Sequence, residues 1–353
     1  MPATTFALRL VFSYIYGHSV LVLPYPLQRD FRFIFPNTPF PYPHYCETLS
    51  RFLERAAVKV GRYEILDTVG AGAFSRVVRA HDPFIGRIVA IKIFPTEIAK
   101  GEAREKFFQE ARVIGQISHP CVLALHDMGI DEASQTPYLV MEFVDGQPLD
   151  RILEKGAVPF PRACAWIGDI AVALGVAHRK VVIHGDVKPA NILITADGRV
   201  KLSDFGMARV ASRDTGGSPL LGTPAYWCPE QIMGRPQDAR SDIFSLGGVL
   251  YEMLTGSSPF HAESIQAVCG RVLSSTPLPP SHTNSSVPAA LDEIVAKCLM
   301  KDPGLRLSSC DALAEALYPL ARRKVVAQVS QPAQQQQQTS SLRDRAARLL
   351  RSA

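Results

Sequence analysis

The chain has 353 residues, of which 47% are hydrophobic and 20% charged, and a formal net charge of +5. That length exceeds one average domain, and that apolar content can build a real core, which excludes a wholly disordered or low-complexity protein. The charge is mild and its basic residues are spread along the chain apart from a cluster near the C-terminus, so no nucleic-acid surface is expected. Seven cysteines, an odd number without a CxxC pair, argue against a disulfide scaffold or a structural zinc site. They fit reduced thiols in a cytoplasmic protein.

Residues 1–60 are rich in aromatics and proline, as in Phe31-Arg32-Phe33-Ile34-Phe35-Pro36 followed by Pro39, Pro41 and Pro43. The apolar run Leu10 to Leu23 contains Gly17 and His18 and is too short to span a bilayer as a helix. A signal-anchor reading, with Arg9 as the positive flank, competes with a poorly ordered extension or an upstream start. The segment shows neither helix nor strand periodicity, so the extension is the plainer reading.

From Gly61 the pattern changes. Arg62 to Leu66 reads as a strand running into the glycine-rich turn Gly70-Ala71-Gly72-Ala73-Phe74-Ser75-Arg76-Val77, and Val77 to Ala80 returns as its hairpin partner. Arg87 to Phe94 predicts a third strand, and Glu102 to Ile117 a helix with Phe107, Phe108, Ala111 and Ile114 on its apolar face. Leu123 to Asp127 and Tyr138 to Phe143 complete a small sheet, and after Gly146 the chain turns predominantly helical. Such segregation into two unequal parts predicts an α+β fold with a ligand cleft between them.

Two further motifs follow in the second part: His184-Gly185-Asp186-Val187-Lys188-Pro189-Ala190-Asn191 and Asp204-Phe205-Gly206. A glycine turn lets backbone N–H groups approach phosphates closely. Lys92 lies in the apolar strand Val89-Ala90-Ile91-Lys92-Ile93 and needs a countercharge. Glu110 on the predicted helix is the natural partner, with Glu105 the competitor. Asn191 and Asp204 offer hard oxygen ligands of the kind Mg²⁺ prefers alongside phosphate oxygens.

In this order the motifs resemble a eukaryotic-like, Hanks-type serine/threonine protein kinase of the bacterial branch, over Gly61 to Arg323. The resemblance implies a bilobal fold. Residues 61–145 would form a small β-rich N-lobe with one main helix, and residues 146–323 a larger, mostly α-helical C-lobe. It implies ATP and Mg²⁺, with Mn²⁺ as an alternative, and Ser/Thr-containing protein substrates with autophosphorylation in a signalling role. Gly70, Ala71, Gly72, Ala73, Phe74 and Ser75 would cover the phosphates. Val77 and Ala90 would roof the adenine, Leu193 would close it from below, Met141 would be the gatekeeper, and Glu142, Phe143 and Val144 the hinge.

By the same resemblance, Glu110 would hold Lys92 on the α- and β-phosphates, and Asp186 would accept or orient the substrate hydroxyl proton. Lys188 would neutralise charge on the γ-phosphoryl group, Thr223 would hydrogen-bond to Asp186 and Lys188, and Asn191 and Asp204 would hold the metal. Structural roles fall to Glu230 with Arg306, to Asp242 bracing the catalytic loop, and to Ile114, Leu125, His184 and Phe205 stacked between the lobes. Ser212, Thr215 and Ser218 are candidate autophosphorylation sites in a segment that also reads as a plain polar loop.

Three positions depart from the family pattern. Ser75 replaces the third glycine, and Cys228-Pro229-Glu230 stands where alanine is usual before Pro-Glu; at Cys228 an inert small side chain is a plainer reading than a redox-sensitive thiol. Gly185 replaces an arginine that normally binds a phosphorylated loop residue, so activity is expected to depend less on loop phosphorylation.

Residues 324–353 hold the glutamine run Gln334 to Gln338 and a basic stretch in which Leu342, Ala346, Leu349 and Leu350 can share a helical face. A solvated terminal helix is the plainer reading there, and contact with an anionic membrane is the alternative. A homodimer through the small lobe is a further family trait. Two other functions compete with the enzyme: a pseudokinase scaffold and a small-molecule phosphotransferase. The complete set Lys92, Glu110, Asp186, Lys188, Asn191 and Asp204 argues against the first. Thr223, Cys228-Pro229-Glu230 and Arg306, which resemble a protein-substrate platform, argue against the second.

Overall fold

The computed structural model describes residues 11–15, 18–22, 58–71, 75–205 and 224–322. The readings of the tail, the proline-rich stretch and the loop hydroxyls Ser212, Thr215 and Ser218 lie outside the described residues. The N-terminal segment is not free of strand structure as expected. Strands β1 (Val11–Ile15) and β2 (His18–Val22) pair antiparallel, with Val11 opposite Val22 and Ile15 opposite His18. Backbone pairing of neighbouring apolar runs can build such a ribbon without the alternating pattern that marks a half-buried strand.

The small lobe is a six-stranded antiparallel sheet of β3 (Lys59–Val60), β4 (Tyr63–Ala71), β5 (Arg76–Asp82), β6 (Arg87–Ile93), β7 (Leu125–Ile130) and β8 (Pro137–Glu142). Their spatial order is β3-β4-β5-β6-β8-β7. Register shifts at Ile65/Asp67 and Thr68/Gly70 twist β4 toward the glycine turn. One sheet face buries Val78, Ala80, Val89, Ile91, Ile93, Tyr138 and Val140. The opposite face, carrying Leu139, meets helix α1 (Gly101–Ile114) through Phe94, Ile98, Phe107 and Ala111. The Phe107 ring stands edge-on to Phe94 with centroids 5.2 Å apart.

Helix α1 stops at Ile114, short of the expected Ile117. Gln116 N–H donates to Val113 and Ile117 N–H to Ile114, so the last turn tightens into i to i+3 bonds.

The large lobe is wound around two apolar helices. Three strands, β9 (Gly146–Pro148), β10 (Ile192–Thr195) and β11 (Val200–Leu202), and the short helix α2 (Leu149–Leu153) line its side of the cleft. Helix α3 (Phe160–Arg179) is the one helix among the described residues long and apolar enough to cross a membrane, and most of it is buried inside the lobe. The short helix α4 (Pro229–Ile232) precedes helix α5 (Ala239–Thr255), which is buried at every residue from Ser241 to Tyr251. A capping box of Asp238 and Ser241 starts α5, and Gly256, at φ +81°, ends it in the left-handed region. Around this pair lie α6 (Ile265–Ser274), α7 (Pro280–Thr283), α8 (Ala289–Cys298) and α9 (Cys310–Ala321). Ile114 packs against the cores of both lobes.

Candidate active site

The loop from Lys180 to Asn191 joins α3 to β10, and its shape is imposed from below by one buried carboxylate. Asp242, in the first turns of α5, accepts from His184 N–H at 2.9 Å, Gly185 N–H at 2.8 Å and His178 Nε2 at 2.8 Å. Asp186 N–H donates to His184 Nδ1 at 3.2 Å, which leaves Nε2 to donate to Ser203 O at 2.9 Å and sets the ring's tautomer. The His184 ring then meets Phe205, with centroids 4.6 Å apart. Gly185 takes φ +71°, a left-handed conformation that costs a side-chain-bearing residue about 1–2 kcal/mol.

Above this base three polar side chains converge. Lys188 Nζ lies 2.7 Å from Asp186 Oδ2. Asn191 Nδ2 donates to Asp186 O at 2.8 Å and to Asp186 Oδ2 at 3.1 Å. The amide nitrogen is thereby committed to the loop, and Asn191 Oδ1 is the atom left to face a cation. Asp204 supplies a carboxylate from a strained position, φ +64°. No group of three or more His, Cys, Asp or Glu side chains among the described residues could hold a metal ion. Two hard oxygen donors are a poor cage for a resident metal but fit Mg²⁺ that takes its other ligands from phosphate and water.

The expected Lys92–Glu110 ion pair is not the one the structure shows. Lys92 Nζ sits 2.7 Å from Asp204 Oδ1, across the cleft. Ala103, Phe107 and Ala111 form the stripe of α1 buried toward the sheet. At 3.6 residues per turn, Glu110 is rotated about 60° from Phe107 and about 100° from Ala111. It stands on the helix flank, in a depression shared with Val113, Ile114 and Val181 to Ile183. Glu105 is exposed and does not replace it.

In the small sheet, Ala90 and Lys92 share one face of β6, since side chains alternate along a strand. Val77 lies opposite Lys92, and Met141 opposite Ala90. Leu193 lies in β10 opposite Pro148 and Lys201. The Glu142 carboxylate pairs with Lys201 at 2.9 Å and its N–H donates to Ala124 O. Val144 N–H has no acceptor among the described residues. At Gly70 an added Cβ would meet nothing within 4 Å, so neither packing nor a left-handed backbone explains the glycine. Ala71 ends β4 and Ser75 precedes β5, while Gly72, Ala73, Phe74 and Thr223 lie outside the described residues.

The segment after the cleft is anchored by a buried ion pair, in which Glu230 Oε2 accepts a hydrogen bond and Oε1 meets the guanidinium by charge alone. Arg306 Nη1 and Nη2 reach Glu230 Oε1 at 2.8 Å and Oε2 at 3.1 Å. Its guanidinium also donates to the carbonyls of Met300, Arg240 and Lys301. Tyr226 donates to Glu252, whose carboxyl is raised above its usual range by burial. Cys228 is buried, and burial pushes its thiol up to about 12. Such a thiol stays protonated and inert.

Sequence reasoning missed His178, Lys201 and Gln237. His178 supports Asp242 from α3, Lys201 holds Glu142, and Gln237 Oε1 would lie 3.1 Å from a Cβ at Gly185. Each acts across a gap in sequence that no local motif marks.

Comparison with known proteins agrees with this geometry. Residues 63–318 match the family model described as a protein kinase domain. The chain is 37% identical over 277 residues to the serine/threonine-protein kinase PksC of Streptomyces coelicolor, covering 75% of this chain and 50% of that one. It is 41% identical over 251 residues to the serine/threonine-protein kinase PknB of Mycobacterium tuberculosis, covering 69% and 40%. The chain thus spans about half, or less, of the length of these relatives. Among solved structures, the PknI kinase domain of Mycobacterium tuberculosis superposes with a TM-score of 0.59 at 26% identity, over 75% of this chain and 98% of that one. The two-lobed architecture, the residues at its cleft and these matches together make the chain a member of the protein kinase family.

Proposed function

We propose that the chain is a serine/threonine protein kinase that moves the γ-phosphoryl group of ATP to a protein hydroxyl. The observation that carries this reading is the union of Asp186, Lys188 and Asn191 in one hydrogen-bonded set, facing the Lys92–Asp204 pair. The acceptor hydroxyl oxygen bonds to the γ-phosphorus while the bond from that phosphorus to the β–γ bridging oxygen breaks. The hydroxyl proton passes to the Asp186 carboxylate, and ADP departs. Lys188, already beside Asp186, balances negative charge on the transferred group. Lys92 binds the inner phosphates, and the open surroundings of Gly70 suit close approach of the phosphate chain. The unpaired Val144 N–H suits an adenine ring nitrogen.

Mg²⁺, when bound, neutralises phosphate charge; Asn191 Oδ1 and the Asp204 carboxylate are the residues that would hold it. Autophosphorylation and a cytoplasmic setting belong to the same proposal, the latter supported by the free, buried thiols of Cys164, Cys228, Cys298 and Cys310. One observation favours a second reading, a nucleotide-binding scaffold: Lys92 is engaged by Asp204, the carboxylate expected to hold the metal.

The test is transfer of labelled γ-phosphate from ATP to a generic protein acceptor and to the chain itself, followed by phosphoamino-acid analysis. Label on serine or threonine supports the enzyme. Tight ATP binding without any transfer supports the scaffold.

A further inference from the structure

Gly185 and Gln237 meet where the catalytic loop rests on the start of α5. The segment 237–242 grips that loop from two sides. Asp242 accepts from the His184 and Gly185 N–H groups. Gln237, one residue before the helix cap, places its amide oxygen beside Gly185, so that an ideal Cβ there would lie 3.1 Å from Gln237 Oε1. That separation is tighter than ordinary carbon–oxygen contact, and the cap fixes the segment that makes it. Asp238 accepts from Arg240 N–H at 2.8 Å, and Ser241 Oγ accepts from Asp238 N–H at 3.3 Å. Arg240 O in turn accepts from the buried Arg306. These bonds hold the backbone that follows Gln237.

Gln237 Oε1 is buried and has no hydrogen-bond partner among the described residues. A buried carbonyl left without a donor is destabilising, and its retention calls for an explanation. Hydrogen bonding does not supply one here, whereas volume does. The side chain stands beside a residue that has none, in a loop whose N–H groups Asp242 holds. We propose that Gln237 is a positioning residue for Asp186, matched to Gly185. The two form a size-complementary pair that sets the catalytic loop by packing. This rests on the kinase reading for its catalytic consequence, but the coupling itself is a property of the fold.

The experiment is a double-mutant cycle of Gly185→Ala and Gln237→Ala, with Gln237→Met as the conservative variant, read by steady-state kinetics and thermal unfolding. Gln237→Ala is expected to lower kcat several-fold with little change in KM for ATP, because the amide stands beside the loop that carries Asp186. Gln237→Met, of similar length and without the orphan carbonyl, is expected to retain kcat and raise Tm. Gly185→Ala is expected to lose less kcat and less Tm in the Gln237→Ala background than in the wild type, since one of its two penalties is gone. Additive effects on both readouts would overturn the pairing, as would an unchanged kcat in Gln237→Ala. If the wild type transfers no phosphate, the kinase reading fails by itself. The Tm cycle then decides the pairing alone, with coupling supporting it and additivity overturning it.

Discussion

Lys301 shows how a residue outside the cleft can make the fold sensitive to pH. Its Nζ is buried without a hydrogen-bond partner, 4.1 Å from the centroid of the Phe260 ring and 5.5 Å from that of Phe244. Burial, with the nearby Arg306 charge second, pushes the amine down from the usual 10.5 to about 8. The rings offset part of that burden through their negative faces. Below pH 8 the amine is charged in both folded and unfolded states, and the folded state bears the full penalty. Between pH 8 and 10.5 the unfolded chain binds more protons, so this group's contribution to stability rises with pH. Lys301→Met is therefore expected to have the higher Tm at pH 7, with the gap closing toward pH 10.5. A constant gap across that range would contradict the assignment. Gly185 supports a second expectation at this scale. With no side chain at 185 to engage a phosphate, phosphatase treatment is expected to leave most of the activity intact, and a large fall would sink the idea.

Among the elements, α5 does more than fill the core. Its first turns hold the loop of Asp186 through Asp242, its Arg240 carbonyl binds Arg306, and its Ser245 hydroxyl donates to Tyr226 O at 2.7 Å. Breaking the buried Glu230–Arg306 pair by Arg306→Met leaves Glu230 charged without a partner and should cost about 3–5 kcal/mol of unfolding free energy. Urea denaturation of Arg306→Met and of the double variant with Glu230→Met measures this. The double variant is expected to recover much of the loss, and equal losses in both would refute the argument.

Much of this scale was legible beforehand. The strands of the small sheet and helix α1 announce themselves by periodicity, and Asp242 and the Glu230–Arg306 pair by motif resemblance. The partner of Lys92 was not legible. A spacing rule pointed to Glu110, but which carboxylate meets the amine depends on the rotation of α1 and on the reach of Asp204 across the cleft. His178 and Gln237 were equally hidden, because each earns its place through a contact with a distant segment. The β1–β2 ribbon escaped notice because strand pairing there carries no alternating pattern.

The described residues of the two lobes meet at a cleft. The small lobe has a cluster on each face of its sheet and the large lobe one continuous core, with Ile114 touching both sides. This division puts the Lys92 strand on one body and the Asp186 loop on the other. The Lys92–Asp204 pair is one link between them, and the bond from Lys180 Nζ to Gln116 O at 2.9 Å is another. Val144, in the connection between the lobes, offers the free N–H expected to bind adenine. Val144→Pro removes that donor and should weaken ATP binding by about tenfold, on the scale of one hydrogen bond of about 1.4 kcal/mol. Calorimetry with a non-hydrolysable ATP analogue reads this, and unchanged affinity would place the base elsewhere.

The most direct test of the account compares γ-phosphate transfer by the wild type and by Asp186→Asn, with ATP affinity measured on both. Asp186→Asn is expected to lower transfer by about 10²–10⁴-fold at nearly unchanged ATP affinity, the range for removing a general base. Transfer that survives in Asp186→Asn would contradict the assignment of Asp186 as the base. Absence of transfer in a folded, ATP-binding wild type would contradict the enzyme itself.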